Sequence, residues 1–269
     1  MQRIFLLRAY GDFVIALQAI SRSHQKIQIV ASDHLAPLYH ALIASKALQP
    51  LSIDFIDLGI QQGQLNFFTN KHLLTWDTVK QLSRLKSYIK ANPNHNGIDW
   101  VEHPIRIELF NFLLGQNFKA VVSAKENVYQ AYDHWLEMQS THFQKVSETI
   151  KETADESKSI LIFPDARLKK KIVSNKTIAQ LKQDHLHRNS TIKVARFNNT
   201  NKEELSYSNF EGLIDLIKFA DYIYTSDSLP AHISYLLAVP HSIIYPYKEV
   251  NNFCTPYSLG HKSYIKVYD

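Results

Sequence analysis

The chain has 269 residues, which suits one large domain or two domains of roughly 100 to 200 residues each. Apolar residues make up 45% and charged residues 20%, a mixture that disfavours disordered and fibrous architectures. The net charge of +5 favours anionic partners such as sugar nucleotides, phosphorylated glycolipids, a membrane surface or nucleic acid. The basic residues are dispersed and no aromatic RNA-binding signature is present, so we do not expect a nucleic-acid partner.

Several common functional motifs are missing from the sequence. Its 7 glycines form neither G-x-G-x-x-G nor a Walker loop, which disfavours NAD enzymes and P-loop NTPases of the usual kinds. The histidines form no H-E-x-x-H, the serines no G-x-S-x-G, and Cys254 is the single cysteine. We therefore expect no metal and no cofactor. Charged residues interrupt the apolar N-terminus, so we expect a soluble cytoplasmic protein without a signal peptide or a membrane span.

Short apolar runs alternate with helical patterns along the first half of the chain. The run Arg3–Arg8 predicts a strand, residues 9–12 a turn, and the spacing of the next apolar residues a helix. The alternation then predicts strands at Ile27–Ala31, Ile53–Asp57, Ile98–Glu102 and Ala120–Ser123, a short run at Leu65–Thr69, and helices from His34 and over Asp77–Ala91, Ile105–Leu114 and Val128–Glu137.

A polar segment, Lys145–Lys158, predicts an interdomain linker, after which the alternation restarts. It predicts strands at Ser159–Phe163, Ile192–Phe197, Tyr222–Tyr224, His241–Tyr245 and Tyr264–Val267, and helices at Lys176–His185, Phe210–Phe219 and Pro230–Leu237. Such alternation indicates βαβ units around mainly parallel sheets. The sequence therefore predicts an α/β protein of two Rossmann-like domains, residues 1–150 and 151–269.

Ligands of open α/β sheets bind at the carboxyl ends of the strands, so the turns that follow strands are the candidate sites. In the first such turn, Gly11 allows close backbone approach or a positive φ, and Asp12 stands at the start of a helix. A carboxylate there could accept a proton from a sugar hydroxyl. The alternative is a helix cap worth about 1 kcal/mol.

The second candidate turn, Phe163–Lys171, contains Arg167 and three lysines ahead of a helix. Cations beside a helix N-terminus could bind a diphosphate, although a solvated basic loop would have the same composition.

The third candidate turn contains Asp227 and Ser228 before a helix, with His232 one helical turn further on. A helix cap and a buried histidine would explain the same residues without a function. Glu102 and His103, which end a strand of the first half, are further candidates for lining the cleft, or are simply polar strand ends.

Together the three turns resemble glycosyltransferase family 9, the ADP-heptose lipopolysaccharide heptosyltransferases. The family's opening strand and Gly-Asp pair correspond to Ile4–Arg8 and Gly11-Asp12, and its signature D-S-G-x-x-H resembles Asp227-Ser228-Leu229-Pro230-Ala231-His232. The family's phosphate loop and K-R-W-P segment resemble Ile160–Pro164 followed by Lys171, although the Arg-Trp is absent.

The resemblance implies a GT-B-like fold, with two Rossmann-like domains facing across a cleft. It implies that Asp12 is the general base of an inverting, metal-independent reaction, and that Lys171, Asp227, Ser228 and His232 bind the donor. By their positions after strands, Gly11, Arg167, Glu102 and His103 are possible cleft residues. The N-terminal domain would bind the acceptor and the C-terminal domain the nucleotide sugar. Leu229 stands where the family has glycine, and its side chain could obstruct phosphate.

The leading hypothesis is a heptosyltransferase-like enzyme that uses a nucleoside-diphosphate sugar, ADP-linked by the resemblance, and a lipopolysaccharide core or related glycan. It would act in the cytoplasm with peripheral contact to the inner membrane. The alternatives are a non-catalytic nucleotide- or glycan-binding module of the same fold, and a sugar-nucleotide epimerase or phosphorylase of similar shape.

Overall fold

The computed structural model describes residues 2–23, 26–61, 75–95, 97–102, 107–122, 126–139, 159–186, 190–245 and 264–266. The chain divides into two compact units, which consist of Met1–His40 with Leu48–Lys145 and of Ala41–Ala47 with Val146–Asp269. The predicted domain boundary at residue 150 and the predicted linker lie outside the described residues. That boundary therefore stays a prediction.

A five-stranded parallel sheet forms the centre of the first unit, in the order β3-β2-β1-β4-β5. Its strands are β1 (Gln2–Leu6), β2 (Ile27–Ser32), β3 (Ile53–Ile56), β4 (Asp99–Val101) and β5 (Lys119–Ala120). Phe5 of β1 pairs with Val30 on one side and Val101 on the other. Because β1 is central and buried on both faces, its residues Ile4, Phe5 and Leu6 form a continuous apolar run rather than alternating with polar residues.

Among the described residues, the helices of the first half of the chain are α1 (Tyr10–Ser21), α2 (Ala36–Ala44), α3 (Trp76–Ala91), α4 (Ile107–Leu114) and α5 (Val128–Gln139). A capping box between Thr75 and Thr78 starts α3. The unit's apolar core contains Phe5, Leu85 and Phe118, and the rings of Phe5 and Phe118 meet edge to face with their centroids 5.2 Å apart.

The second unit contains a six-stranded sheet in the order β11-β10-β9-β6-β7-β8. Its strands are β6 (Ser159–Phe163), β7 (Thr191–Phe197), β8 (Leu205–Tyr207), β9 (Tyr222–Ser226), β10 (His241–Tyr245) and β11 (Tyr264–Lys266), all parallel. Its helices are α6 (Asn175–Asp184), α7 (Phe210–Phe219) and α8 (Leu229–Leu236). The side chains of Ser174 and Asn209 cap α6 and α7.

Most predicted elements are confirmed within a few residues. The strands Ser159–Phe163 and His241–Tyr245 and the helix Phe210–Phe219 have the predicted bounds. Strand β8 was not predicted from the sequence. The strand predicted at Ala120–Ser123 is shorter than expected, because β5 covers only Lys119–Ala120. The run Leu65–Thr69 lies outside the described residues.

Both sheets have a point where the strand order reverses. In the first unit the chain adds β2 and β3 on one side of β1 and then β4 on the other. In the second it adds β7 and β8 on one side of β6 and then β9 on the other. Ligands of open α/β sheets bind at the carboxyl ends of the two strands that flank such a reversal. The positions to inspect are therefore the loops that follow β1 and β4, and those that follow β6 and β9.

Candidate functional site

The reversal point of the second sheet brings together two of the predicted donor-binding residues. Lys171 lies in a single 3₁₀ turn, Lys169–Lys171, in the loop after β6, and Asp227 directly follows β9. The Lys171 Nζ donates to Asp227 Oδ2 at 2.6 Å, and the side chains are 20% and 3% exposed. The contact joins the two loops that flank the reversal.

A hydrogen bond from Ser226 also holds the same two loops together. Ser226 Oγ donates to the carbonyl oxygen of Asp165 at 2.7 Å, so it accepts from Ser228 Oγ at 2.8 Å. Ser228 occupies the N-cap position of α8, but its hydroxyl makes no capping bond to the helix. Helix capping therefore does not account for Asp227 and Ser228, because one pairs with Lys171 and the other with Ser226.

The remaining predicted residues of this unit have different surroundings. His232 is buried in α8 and 4% exposed. Arg167 is exposed in the loop after β6. The basic loop precedes α6 as expected, with Lys171 three residues before Ser174, the N-cap residue of that helix. Three of the loop's cations, Lys169, Lys170 and Lys171, lie together in the 3₁₀ turn that precedes α6.

A pair of ion pairs that Arg196 makes with Asp165 and Glu204 was not predicted from the sequence. The Arg196 guanidinium, at the end of β7, forms an ion pair with Asp165 and a second one with Glu204 at 3.1 Å. Burial and the charge of Asp165 raise the pKa of Tyr207 to about 12. An arginine at the end of a strand, followed by acidic residues, is the signal that the sequence offered.

The reversal point of the first sheet brings Asp12 and Glu102 into one electrostatic cluster. Asp12 is the third residue of α1, and its Oδ2 lies 3.6 Å from Arg8 Nη1. The alternative that Asp12 caps the helix is wrong, because Ala9 occupies the N-cap position. Gly11 is helical and is not one of the glycines with positive φ, which excludes one of its two alternatives, the positive φ.

Glu102 follows β4 and is 2% exposed. The backbone N–H of Leu7 donates to its Oε1 at 3.0 Å, and its Oε2 has no hydrogen-bond partner among the described residues. Burial, and the nearby charge of Asp12, raise the pKa of Glu102 to about 8, although Arg8 and the backbone N–H donors of Leu7 and Arg8 oppose the shift. His103 lies outside the described residues.

His34 and Tyr132, which the sequence analysis did not single out, border the same cluster. His34 Nε2 lies 3.0 Å from the carbonyl oxygen of Arg8, and its Nδ1 lies 2.7 Å from Ser32 Oγ. Burial lowers the pKa of His34, which favours the neutral ring with one proton. Because a carbonyl can only accept, that proton is on Nε2, and Nδ1 accepts from Ser32. Tyr132 is buried in α5, and burial together with the charges of Glu102 and Asp12 raises the pKa of its phenol.

Two absences concern only the part of the chain that the structure describes. No group of three or more His, Cys, Asp or Glu side chains in that part of the chain is arranged to bind a metal ion. No helix there has both the length and the apolar character to cross a bilayer.

No protein-family model and no curated protein sequence matches the chain. Solved structures do. The Escherichia coli heptosyltransferase WaaC, solved with ADP, aligns over 99% of this chain and 93% of its own, with a TM-score of 0.60 and 10% identity. A glycosyl transferase family 9 structure from Veillonella parvula aligns over 100% and 86%, with a TM-score of 0.61 and 14% identity. The E. coli ADP-heptose lps heptosyltransferase II aligns over 99% and 90%, with a TM-score of 0.57 and 14% identity.

These similarities confirm the predicted α/β fold. The chain has the heptosyltransferase-like fold of glycosyltransferase family 9, with two parallel sheets each bordered by helices. At 10% to 14% identity the comparison defines the fold, and the site must be argued from the residues of this chain.

Proposed function

We propose that this chain is an inverting, metal-independent glycosyltransferase. It moves a heptose-like sugar from a nucleoside-diphosphate donor, ADP-linked by analogy, to a lipopolysaccharide core or a related surface glycan. The observation that carries the proposal is the contact between Lys171 and Asp227 at the reversal point of the second sheet. The shared fold supports it, because heptosyltransferases solved with ADP have the same architecture.

The second unit would bind the donor. Lys171 and the backbone N–H of Leu229, at the start of α8, can place a cation and one N–H donor at a diphosphate, whose leaving charge must be stabilised when the glycosidic bond breaks. Asp227 accepts from one of the three N–H donors of Lys171, which fixes the ammonium and leaves two donors for phosphate oxygens. Ser228 and the buried His232 complete the donor-binding set.

The first unit would bind the acceptor, with Asp12 as the general base. A base takes the proton of the attacking hydroxyl while that oxygen bonds to the anomeric carbon and the nucleoside diphosphate leaves from the opposite face. Attack from that side inverts the configuration, and a positioned base contributes about 10²- to 10⁴-fold. Asp12 is 18% exposed and lies after the central strand β1, so its carboxylate is accessible to such a hydroxyl.

The charge of the chain bears on the acceptor and on where the reaction takes place. The net charge of +5 suits a phosphorylated glycolipid at the cytoplasmic face of the inner membrane, with peripheral contact between protein and lipid.

A non-catalytic nucleotide- or glycan-binding module is the second candidate. Leu229, the first residue of α8, favours it, because a branched side chain at this position can obstruct close approach of a phosphate to the backbone. Such a module would retain the Lys171–Asp227 contact and lack turnover.

Titration calorimetry of ADP, UDP, GDP and dTDP into the purified protein tests the donor site. We expect micromolar binding of one nucleotide, weakened at least tenfold (about 1.4 kcal/mol) in Lys171→Ala and in Asp227→Ala. Lys169→Ala is the matched control, because Lys169 lies in the same 3₁₀ turn, is exposed, and should leave binding within threefold of the unchanged protein. Absence of binding to all four nucleotides would refute the donor site.

A further inference from the structure

The Glu102 carboxyl links the end of β4 to the turn that follows β1 by hydrogen bonding. Its buried carboxyl accepts the Leu7 N–H at 3.0 Å, and the Arg8 N–H donates to the same carboxyl. Leu7 and Arg8 are the first two residues after β1, and α1 begins two residues later at Tyr10. The carboxyl therefore holds the backbone that leads into the helix of Asp12.

The same carboxyl belongs to a cluster of interacting charges. Among the described residues, the charged and titratable groups that act on Glu102 are Arg8 in the β1–α1 turn, Asp12 in α1 and Tyr132 in α5. Arg8 interacts with both acids, because its guanidinium lies 3.6 Å from the Asp12 carboxylate and its positive charge also acts on Glu102. Any change in the charge of Glu102 must alter the pairing of Arg8 with Asp12.

We propose that Glu102 is a positioning residue for Asp12, which holds the backbone of the β1–α1 turn and whose charge sets how strongly Arg8 binds the Asp12 carboxylate. The inference rests on the proposed role of Asp12 as the base. It assigns to Glu102 a function that requires no contact with substrate, in agreement with its 2% exposure.

The two charge states of Glu102 have different consequences for Asp12. With Glu102 neutral, Arg8 pairs with Asp12 alone, which orients the Asp12 carboxylate toward the guanidinium. When Glu102 ionises, it competes for Arg8 and adds a negative charge to the cluster, and both effects weaken the hold of Arg8 on the Asp12 carboxylate. Burial places this ionisation at about pH 8, within the range that enzymes use.

Two substitutions separate the backbone contact from the charge. Glu102→Gln keeps an acceptor oxygen for the Leu7 N–H but cannot ionise, whereas Glu102→Ala removes both. Glu108→Ala is the matched control, because Glu108 is an exposed acid in the first turn of α4 in the same unit.

Amide hydrogen exchange of Leu7 and carbon-13 NMR titration of the Asp12 carboxyl test the proposal without turnover. We expect Leu7 exchange to accelerate at least tenfold in Glu102→Ala and to stay within threefold in Glu102→Gln and Glu108→Ala. The Asp12 signal should show a second titration step near pH 8 that Glu102→Gln abolishes. If Glu102→Ala does not fold, the isosteric Glu102→Gln still provides the titration result. Equal Leu7 exchange in Glu102→Ala and Glu108→Ala, or an Asp12 titration curve unchanged by Glu102→Gln, would overturn the proposal.

Kinetics separate a failure of this inference from a failure of the proposed function. We expect Glu102→Gln to lower kcat at least fivefold above pH 8 with KM within twofold, and to flatten the rise of kcat with pH. A pH profile identical to that of the unchanged protein contradicts the inference alone. Full activity of Asp12→Asn would instead refute Asp12 as the base, and with it the premise.

Discussion

Lys171 Nζ and Asp227 Oδ2 lie 2.6 Å apart although 56 residues separate them in the sequence. The two side chains are unequally exposed, since the carboxylate is almost fully buried and the ammonium partly reaches solvent. A buried carboxylate that orients a partly exposed cation is an arrangement suited to anion binding. It also makes the pair important for stability, because removing the cation leaves a buried charge without this partner.

The first prediction concerns the stability of this pair. We expect Lys171→Met to lower the free energy of unfolding by about 2 kcal/mol, because Asp227 loses its cation, and Lys171→Met with Asp227→Asn to recover most of that loss. Urea denaturation measures both. The control is Lys169→Met at an exposed neighbouring position, which should change the free energy by less than about 0.5 kcal/mol. Equal losses in Lys171→Met and Lys169→Met would show that the contact contributes nothing.

A second prediction concerns acid stability and His241. Burial lowers the pKa of His241 from 6.5 to about 4, and its Nδ1 donates to the Val239 carbonyl oxygen at 2.9 Å. The unfolded chain therefore binds the extra proton first, so the free energy of unfolding falls as pH drops from about 6.5 to 4, by about 3 kcal/mol for this group. Urea denaturation of His241→Gln should show a shallower loss. His95→Gln, at an exposed position, should keep the original slope, and an unchanged slope in His241→Gln would contradict the prediction.

For Glu102 we predict the opposite trend, in which the free energy of unfolding falls as the pH rises. Its pKa in the folded protein is about 8 against an ordinary 4.5, so the folded state keeps a proton that the unfolded chain releases. The free energy of unfolding should consequently fall as pH rises from about 4.5 to 8, by about 4 kcal/mol for this group. Glu102→Gln should remove this contribution and Glu108→Gln should not, as measured by urea denaturation at pH 5 to 9. A decline of equal size in both variants would assign the effect to other groups.

Leu229 allows a direct test of the departure from the family signature. It is half-buried at the first position of α8, beside the loop of Asp227 and Ser228. We predict that Leu229→Gly increases the affinity for the nucleoside diphosphate that binds best by at least tenfold, since the backbone becomes accessible to phosphate. Leu229→Ala, which keeps the Cβ, should give a smaller gain. Unchanged or weaker affinity in Leu229→Gly, measured by calorimetry, would show that the leucine does not obstruct the site.

The sequence predicted elements better than it predicted contacts. Strand β1 and the helices α7 and α8 were identified because continuous apolar runs and helical spacing can be recognised in a single sequence. Strand β8 was not predicted because its three residues lie within a polar stretch and are too few to show hydrophobic alternation. The strand is defined by its pairing with β7. The residues Asp12, Lys171 and Asp227 were singled out by position after strands.

Their partners depended on tertiary structure. The burial of Glu102 follows from the placement of β4 beside β1, and the pairing of Lys171 with Asp227 follows from the placement of β9 beside β6. Neither strand order nor side-chain direction at a strand end can be read from hydrophobic alternation. The same limit explains why Tyr132, a tyrosine within a predicted helix, gave no functional signal.

The most direct test of the proposed function is release of nucleoside diphosphate from a panel of nucleotide sugars, including ADP-heptose, with a phosphorylated glycolipid as acceptor. We predict release that requires the acceptor, that falls at least 100-fold in Asp12→Asn, and that leaves nucleotide affinity in that variant within threefold. Nucleotide binding without acceptor-dependent release from any donor, or equal release by Asp12→Asn, would contradict glycosyl transfer with Asp12 as the base.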